Sequence, residues 1–193
     1  MKRELPVRFC EGGGVQFPSA TRLVILTRNK AREALAAARG ILERMGLTLN
    51  DAKTRLSQVP ENSFNFVGFT FGLQHGPGGT RYLGLSIATK SLTALRGTIR
   101  DQTGAHLTWR TSVELKRRLL PILRGFWNYF SLGTRAQAVS RTERFTLMRL
   151  QRWLRRKHPR GKQWREELAQ LWPDFATLFK QARSSRRPGT PAH

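Results

Sequence analysis

The spacing of apolar residues along the chain changes character near Thr89. Before Thr89, short apolar runs and alternating positions predict strands around one helix, whereas after it apolar residues recur every three to four positions and predict helices. This order predicts an α+β fold in which a small β-rich region precedes a helical bundle. We expect four segments: an unstructured leader at 1–20, the β-rich region at 21–88, the helical domain at 89–183 and a disordered tail at 184–193.

The first predicted elements follow the leader. Residues 23–26 read Leu-Val-Ile-Leu, a run that predicts a buried strand. Asn29 is placed to cap a helix with alanine and leucine on one face, and Gly46 is placed to end that helix in the left-handed conformation.

The later strands of this region are rich in phenylalanine. Residues 64–71 read Phe-Asn-Phe-Val-Gly-Phe-Thr-Phe. Phe64 and Phe66 form one alternating pair, Phe69 and Phe71 form a second, and Gly68 between the pairs marks a bulge or a close backbone approach. Residues 82–85 supply a partner strand.

The second half of the chain is predicted to be helical throughout. We expect helices at 91–100, 112–130 and 135–157, then one piece through Trp164 and another after Pro173. Pro121 lies inside the second of these helices, so it predicts a kink or a restart of the helix there.

The charge of the chain points to a polyanionic partner. Thirty-five basic and 12 acidic residues give a formal net charge of +23 and a pI near 11.8. Nucleic acid fits such a charge best because its phosphates are dense and release counterions on binding. An anionic membrane surface is the weaker alternative, since a basic amphipathic helix is present. The single cysteine, Cys10, excludes a disulfide framework within the chain and suits the cytoplasm of a bacterial-type cell.

The acidic and histidine residues do not suggest a metal site. Asp51, Asp101 and Asp174 lie far apart in sequence, whereas two-metal phosphoryl transfer needs clustered carboxylates. Glu166 and Glu167 are adjacent but would point about 100° apart on a helix, so we expect a solvated surface there. The four histidines are scattered without metal-ligand spacing, so we expect no metal and no cofactor.

The predicted helix at 112–130 has two distinct faces. An apolar arc that contains Trp127 is expected to lie in the core of the helical bundle. Arg117, Arg124 and Asn128 share the opposite side, which is either a solvated face or a phosphate-binding one.

The predicted helix at 135–157 is the most basic element. Phe145 and Met148 lie among its arginines, an arrangement that suits phosphate contact with base stacking unless a neighbouring helix covers Phe145. The candidate RNA-binding residues of this helix are Arg141, Arg144, Arg149, Arg152, Arg155, Arg156 and Lys157.

Several segments together resemble one known family. Residues 46–54, Gly-Leu-Thr-Leu-Asn-Asp-Ala-Lys-Thr, and residues 64–71 resemble the end of the reverse transcriptase palm in group II intron-encoded proteins. Residues 120–130, Leu-Pro-Ile-Leu-Arg-Gly-Phe-Trp-Asn-Tyr-Phe, resemble the signature of the maturase-specific domain, also called domain X or the thumb. Residues 152–158 resemble the basic closing helix of that domain, and the resemblance covers roughly residues 23–164.

The resemblance implies a fold and a function. Residues 21–88 would be the C-terminal remnant of the palm, and residues 89–183 the maturase-specific domain, which binds intron RNA and assists splicing. Lys53 matches the lysine near the incoming nucleotide, and the hairpin with Phe66, Gly68 and Phe69 matches the primer grip.

One departure from the family bears on catalysis. The family carries Tyr-Ala-Asp-Asp directly before the apolar strand, but residues 19–22 here read Ser-Ala-Thr-Arg. The metal-binding aspartates are replaced, and the fingers and most of the palm are missing from this sequence. We therefore expect a truncated, polymerase-inactive fragment that does not hold the Mg²⁺ used by the full-length family.

Two other functions remain open from the sequence. The chain could be the C-terminal piece of a split RNA-directed DNA polymerase, completed by a second chain with the fingers and palm, and then also bind an RNA–DNA duplex. It could instead be a non-functional remnant of a mobile element.

Overall fold

The computed structural model describes part of the chain, which divides into two compact units, Met1–Gln58 and Val59–His193. The fold is α+β, as predicted. Asn29, Lys53, most of the expected leader and the tail beyond Ser184 lie outside the described residues. The described residues are 3–4, 24–25, 27, 30–51, 54–59, 61–75 and 79–184.

The first unit is built around one helix, α1 (Ala31–Arg44). Gly46 follows it with φ +74°, so the predicted left-handed end of the helix is confirmed. Strand β1 (Arg3–Glu4), inside the segment expected to be a leader, pairs in parallel with β2 (Leu47–Thr48). The helix is amphipathic, but none of its residues is buried.

The prediction of a buried strand at 23–26 is wrong at the two positions that the structure describes, 24 and 25. Val24 and Ile25 are not in a strand, and they are 38% and 48% exposed. An apolar run becomes a buried strand only when other strands pair with it and other elements cover its faces. The described part of this unit contains only the two-residue strands β1 and β2.

The second unit begins with an antiparallel sheet of β3 (Phe64–Phe66), β4 (Phe69–His75) and β5 (Arg81–Ile87), in that order. Phe66 pairs directly with Phe69, so Val67 and Gly68 form a two-residue turn rather than a bulge. Both have positive φ, 43° and 82°, as a type I′ hairpin turn requires.

The helical bundle comprises α2 (Thr89–Gln102), α3 (Ser112–Tyr129), α4 (Ala136–Lys157) and α5 (Gln163–Ser184), with a 3₁₀ turn at Ala105–Leu107. The helices predicted at 91–100, 112–130 and 135–157 are confirmed. Among the described residues, no helix is both long and apolar enough to cross a membrane.

Neither internal proline interrupts its helix. The restart predicted at Pro121 as the alternative to a kink is wrong because α3 is continuous, and the two pieces predicted around Pro173 are the single helix α5. Both prolines are exposed, and so is the residue four positions before each, whose carbonyl the proline leaves without its helical N–H partner. Buried residues on either side of each proline hold the two halves of the helix against one core.

The sheet and the bundle share that core. The ring of Phe69 lies 4.9 Å from the ring of Phe130, and Ile87 is also buried in the same cluster. The β-rich and helical regions are therefore one packing unit from Val59 onward, and Thr89 is where α2 begins. The fully buried large side chains are Ile99, Leu115, Leu119, Leu123, Leu150, Trp153, Leu154, Phe175 and Phe179.

Candidate nucleic-acid interface

A row of arginines covers the solvent side of α4, opposite its buried residues Val139, Leu150 and Trp153. The row has five arginines, which are named below. All of them are exposed, and within the described part of the chain none of them forms an ion pair. Glu143, on the same helix, instead pairs with Arg183 of α5. We call this surface the α4 arginine face; it consists of Arg141, Arg144, Arg152, Arg155 and Arg156.

Arg149 has a different role from the arginines beside it. Its Nε–H donates to Thr103 Oγ1 over 2.9 Å, and one Nη donates to the Thr103 carbonyl over 2.9 Å. Burial lowers the pKa of Arg149, and the positive charges of Arg152, Arg156 and Arg100 lower it further. The side chain therefore fastens α4 to the C-terminal end of α2, in a strongly positive environment.

Lys157 is also tied to the protein. Its Nζ donates to the Arg110 carbonyl over 2.6 Å and lies 3.8 Å from a carboxylate oxygen of Glu167. The ammonium also lies 5.1 Å from the ring centre of Trp153. Of the seven predicted RNA-binding residues of this helix, Arg149 and Lys157 thus have structural partners, and the other five face solvent.

The two possibilities for Phe145 are resolved by its neighbours. The guanidiniums of Arg96 and Arg100, both from α2, lie 6.0 and 5.6 Å from the centre of its ring. The ring is half-buried and packs against the core, so a neighbouring helix covers it. Met148 is 41% exposed and lies within the α4 arginine face.

The two faces of α3 are arranged as its periodicity predicts. Trp127 is 3% exposed, which confirms the apolar arc as core. Arg117, Arg124 and Asn128 are exposed on the opposite side of the helix.

Arg135 has a structural role that the sequence analysis missed. It is 6% exposed and donates to the carbonyls of Trp127 and Phe130 over 3.3 and 3.2 Å. A cation at the C-terminus of α3 satisfies carbonyls that have no helical partner and complements the helix dipole. Burial lowers the pKa of Arg135. Nothing in the local pattern separates this arginine from the surface arginines that follow it.

The adjacent acids Glu166 and Glu167 differ in environment. Glu166 is exposed as expected, but the solvated surface predicted for Glu167 is wrong. Its carboxylate accepts a hydrogen bond from Ser112 at the start of α3 and bonds His158 after α4. The three helices α3, α4 and α5 therefore meet at this polar cluster.

The hairpin expected to match a primer grip is fixed to the bundle. The Gly68 carbonyl accepts hydrogen bonds from the Ala88 N–H at 2.9 Å and the Ser91 hydroxyl at 3.1 Å. The Tyr129 hydroxyl donates to the Val67 carbonyl over 3.0 Å. Phe66, Gly68 and Phe69 are thus brought together at one end of the sheet, and Phe69 is buried.

The aspartates do not fit the Mg²⁺ ions of a polymerase. Asp51 pairs with Arg39 over 2.5 Å, Asp174 pairs with Lys116, and Asp101 is exposed on α2. Within the described residues, no group of three or more histidine, cysteine or acidic side chains is placed to hold a metal.

Comparison with known proteins agrees with the helical half of the structure. No curated protein shows significant sequence similarity to the chain. The family model of the group II intron maturase-specific domain matches residues 92–172, which extend from α2 into α5 and include the α4 arginine face. Residues 92–172 are therefore similar to the group II intron maturase-specific domain, in agreement with the resemblance of the sequence.

Proposed function

We propose that this protein binds folded group II intron RNA through the α4 arginine face and thereby assists splicing. The observation that carries the proposal is the row of five exposed guanidiniums without an acidic partner in the described part of the chain. Arg141 and Arg155 are fourteen residues apart, about 21 Å along a helix, which is long enough to contact several phosphates of one RNA strand.

The electrostatics of α4 favour a polyanion. Burial is the largest cause of the lowered pKa of Arg149, and the charges of Arg152, Arg156 and Arg100 lower that pKa further through repulsion between neighbouring cations. Phosphate groups relieve such repulsion and release counterions when they bind. Arginine suits this contact because its planar guanidinium donates to a phosphate in a bidentate manner.

One arginine of the face is held in position before RNA binds. The guanidinium of Arg155 lies 4.5 Å from the ring centre of Trp164, and Arg165 lies 5.3 Å from the same ring. A cation stacked on an aromatic ring loses less conformational freedom on binding than a free side chain.

We further propose that the chain alone does not polymerise DNA. This rests on its sequence, in which Thr21 and Arg22 occupy the positions of the two motif aspartates. A second chain that supplies a palm would be needed for two-metal catalysis.

The RNA-binding proposal is tested with a group II intron transcript in salt-titrated binding assays. The variant combines Arg144→Gln, Arg152→Gln and Arg155→Gln; its matched control combines Arg81→Gln, Arg118→Gln and Lys180→Gln, three exposed cations on other elements. We expect the first variant to bind more weakly, with the slope of log affinity against log salt reduced by about three.

The control variant has the same net charge and should retain most of the affinity. Equal losses in both variants would show that overall charge, rather than the α4 arginine face, attracts RNA. Splicing of the same transcript at limiting Mg²⁺ then tests whether bound protein accelerates the reaction, and the face variant should not.

A further inference from the structure

Trp109 is the most exposed of the large hydrophobic side chains in the described part of the chain, at 71%. It lies in the connection between α2 and α3, just after the 3₁₀ turn Ala105–Leu107. An exposed indole keeps an aromatic face open to a stacking partner, so Trp109 is a candidate contact residue.

The connection that carries Trp109 is fixed to α4 at three points. Arg149 bonds Thr103, the indole Nε1–H of Trp153 donates to the Leu107 carbonyl over 3.3 Å, and Lys157 bonds the Arg110 carbonyl over 2.6 Å. These three α4 residues are spaced by four, so they form one flank of the helix.

The flank adjoins the α4 arginine face. Arg152 and Arg156 each directly precede one of the anchoring residues, Trp153 and Lys157, and therefore lie in the same helical turns, about 100° around the helix. The segment that carries Trp109 is thus attached to the C-terminal half of α4, on the flank next to Arg152 and Arg156.

One side of the indole already has a cationic neighbour. The guanidinium of Arg110 lies 5.3 Å from the centre of the Trp109 ring, and its Nε is 4.0 Å from Glu114. The Arg110 side chain is only 14% exposed, so it supports the ring and limits its motion. The ring nevertheless keeps most of its surface open to solvent.

We propose that Trp109 stacks on an unpaired base of an RNA whose backbone is bound by the α4 arginine face. This inference rests on the proposed function and adds a site for a base to a surface for phosphates. Proteins that bind single-stranded nucleic acid combine a basic surface along the backbone with aromatic rings under the bases. Trp164 does not offer such a site, because it is half-buried and lies against both Arg155 and Arg165.

An apolar protein partner is the competing occupant. Val113, four residues after Trp109, is 67% exposed and could extend the ring into a small apolar patch. Arg110 beside the ring and the arginines of the adjoining α4 arginine face favour the polyanion, and Val113 provides a control that separates the two occupants.

The test uses a hairpin RNA with an unpaired adenosine tail and the same hairpin with abasic residues in the tail. Wild-type protein should bind the first RNA about 5- to 150-fold more tightly, the range expected for one stacked base. Trp109→Ala should remove this preference, Trp109→Phe should keep most of it, and Val113→Ala should leave it unchanged.

The salt dependence separates this inference from the proposed function. Trp109→Ala should leave the salt slope unchanged, because no phosphate contact is removed. Salt-dependent binding with an unchanged preference in Trp109→Ala would overturn the stacking site while the proposed function stands. Loss of self-association in Trp109→Ala and Val113→Ala, without loss of RNA affinity, would assign the ring to a protein interface and also overturn it. Absence of salt-dependent RNA binding by the wild-type protein would remove the proposed function itself.

Discussion

Arg149 donates its Nε–H to the hydroxyl of Thr103 over 2.9 Å, and Thr103 directly follows the last residue of α2. Thr103 is 1% exposed, and its hydroxyl also donates to the Ile99 carbonyl over 2.6 Å. Arg149 of α4 thus bonds the residue that follows α2. This contact is the first of the three that attach the segment carrying Trp109 to α4.

Replacing Arg149 should therefore destabilise the fold. We expect Arg149→Gln to lower the free energy of unfolding by about 1–3 kcal/mol, because it leaves buried polar groups of Thr103 without their partner. Arg152→Gln, on the exposed side of the same helix, should change it by less than about 0.5 kcal/mol. Urea unfolding monitored by circular dichroism measures both, and equal stability of the two variants would contradict the structural role of Arg149.

Trp127 should be a stability determinant of the bundle. Its ring lies 5.1 Å from that of Phe126 and 6.4 Å from that of Phe179, and it is 3% exposed. Trp127→Ala should cost about 3–5 kcal/mol through lost packing and a residual cavity. Asn128→Ala, at the exposed neighbouring position, is the control and should melt close to wild type in a thermal scan.

The hairpin turn predicts opposite effects at two adjacent residues. Gly68 has φ +82°, and a Cβ there would lie 2.9 Å from the Phe130 ring, so Gly68→Ala should destabilise by about 2 kcal/mol or more. Val67 is β-branched at φ +43°, so Val67→Asn should stabilise by about 1 kcal/mol, because asparagine suits this turn position. The denaturant concentrations at the unfolding midpoints show whether each variant gains or loses stability. A stabilising Gly68→Ala would show that the turn repacks.

Glu167 should make stability depend on acid pH. Burial raises the pKa of Glu167, but the hydrogen bonds of Ser112 and His158 and the charge of Lys157 outweigh burial, so the pKa lies below its ordinary value of 4.5. The ionised carboxylate therefore stabilises the fold above about pH 4.5, and this contribution is lost as the pH falls through the lowered pKa.

Glu167→Gln should be less stable than wild type at neutral pH and should lose less stability on acidification. Glu166→Gln, at the exposed neighbouring position, should follow the wild-type pH profile. Unfolding free energies measured across the acid range decide the point, and parallel profiles for wild type and Glu167→Gln would contradict the polar cluster.

The purified chain should show no RNA-templated DNA synthesis with Mg²⁺ or Mn²⁺ in a primer-extension assay. Thr21 and Arg22 provide no carboxylates for the two cations that phosphoryl transfer needs. Primer extension abolished by Lys53→Ala would refute this expectation, whereas extension that survives the substitution would indicate a contaminating polymerase or another metal site.

Much of the helical region could be predicted from the sequence because helical periodicity is a local property. The bounds of α3 and α4, the buried position of Trp127 and the exposed position of Asn128 all follow from a spacing of three to four residues. The same argument failed at Pro121 and Pro173, since the core packing on both sides of each proline outweighs its local preference to interrupt a helix.

The sequence by itself determined that α4 has a basic side, and that its buried side is apolar. It could not decide which basic residues face solvent, because that depends on which remote segments pack beside them. Only the tertiary structure joins Arg149 to Thr103, buries Arg135 under the end of α3 and covers Phe145 with α2. These contacts connect residues whose relative positions are fixed by the packing of whole helices, and no local pattern encodes that packing.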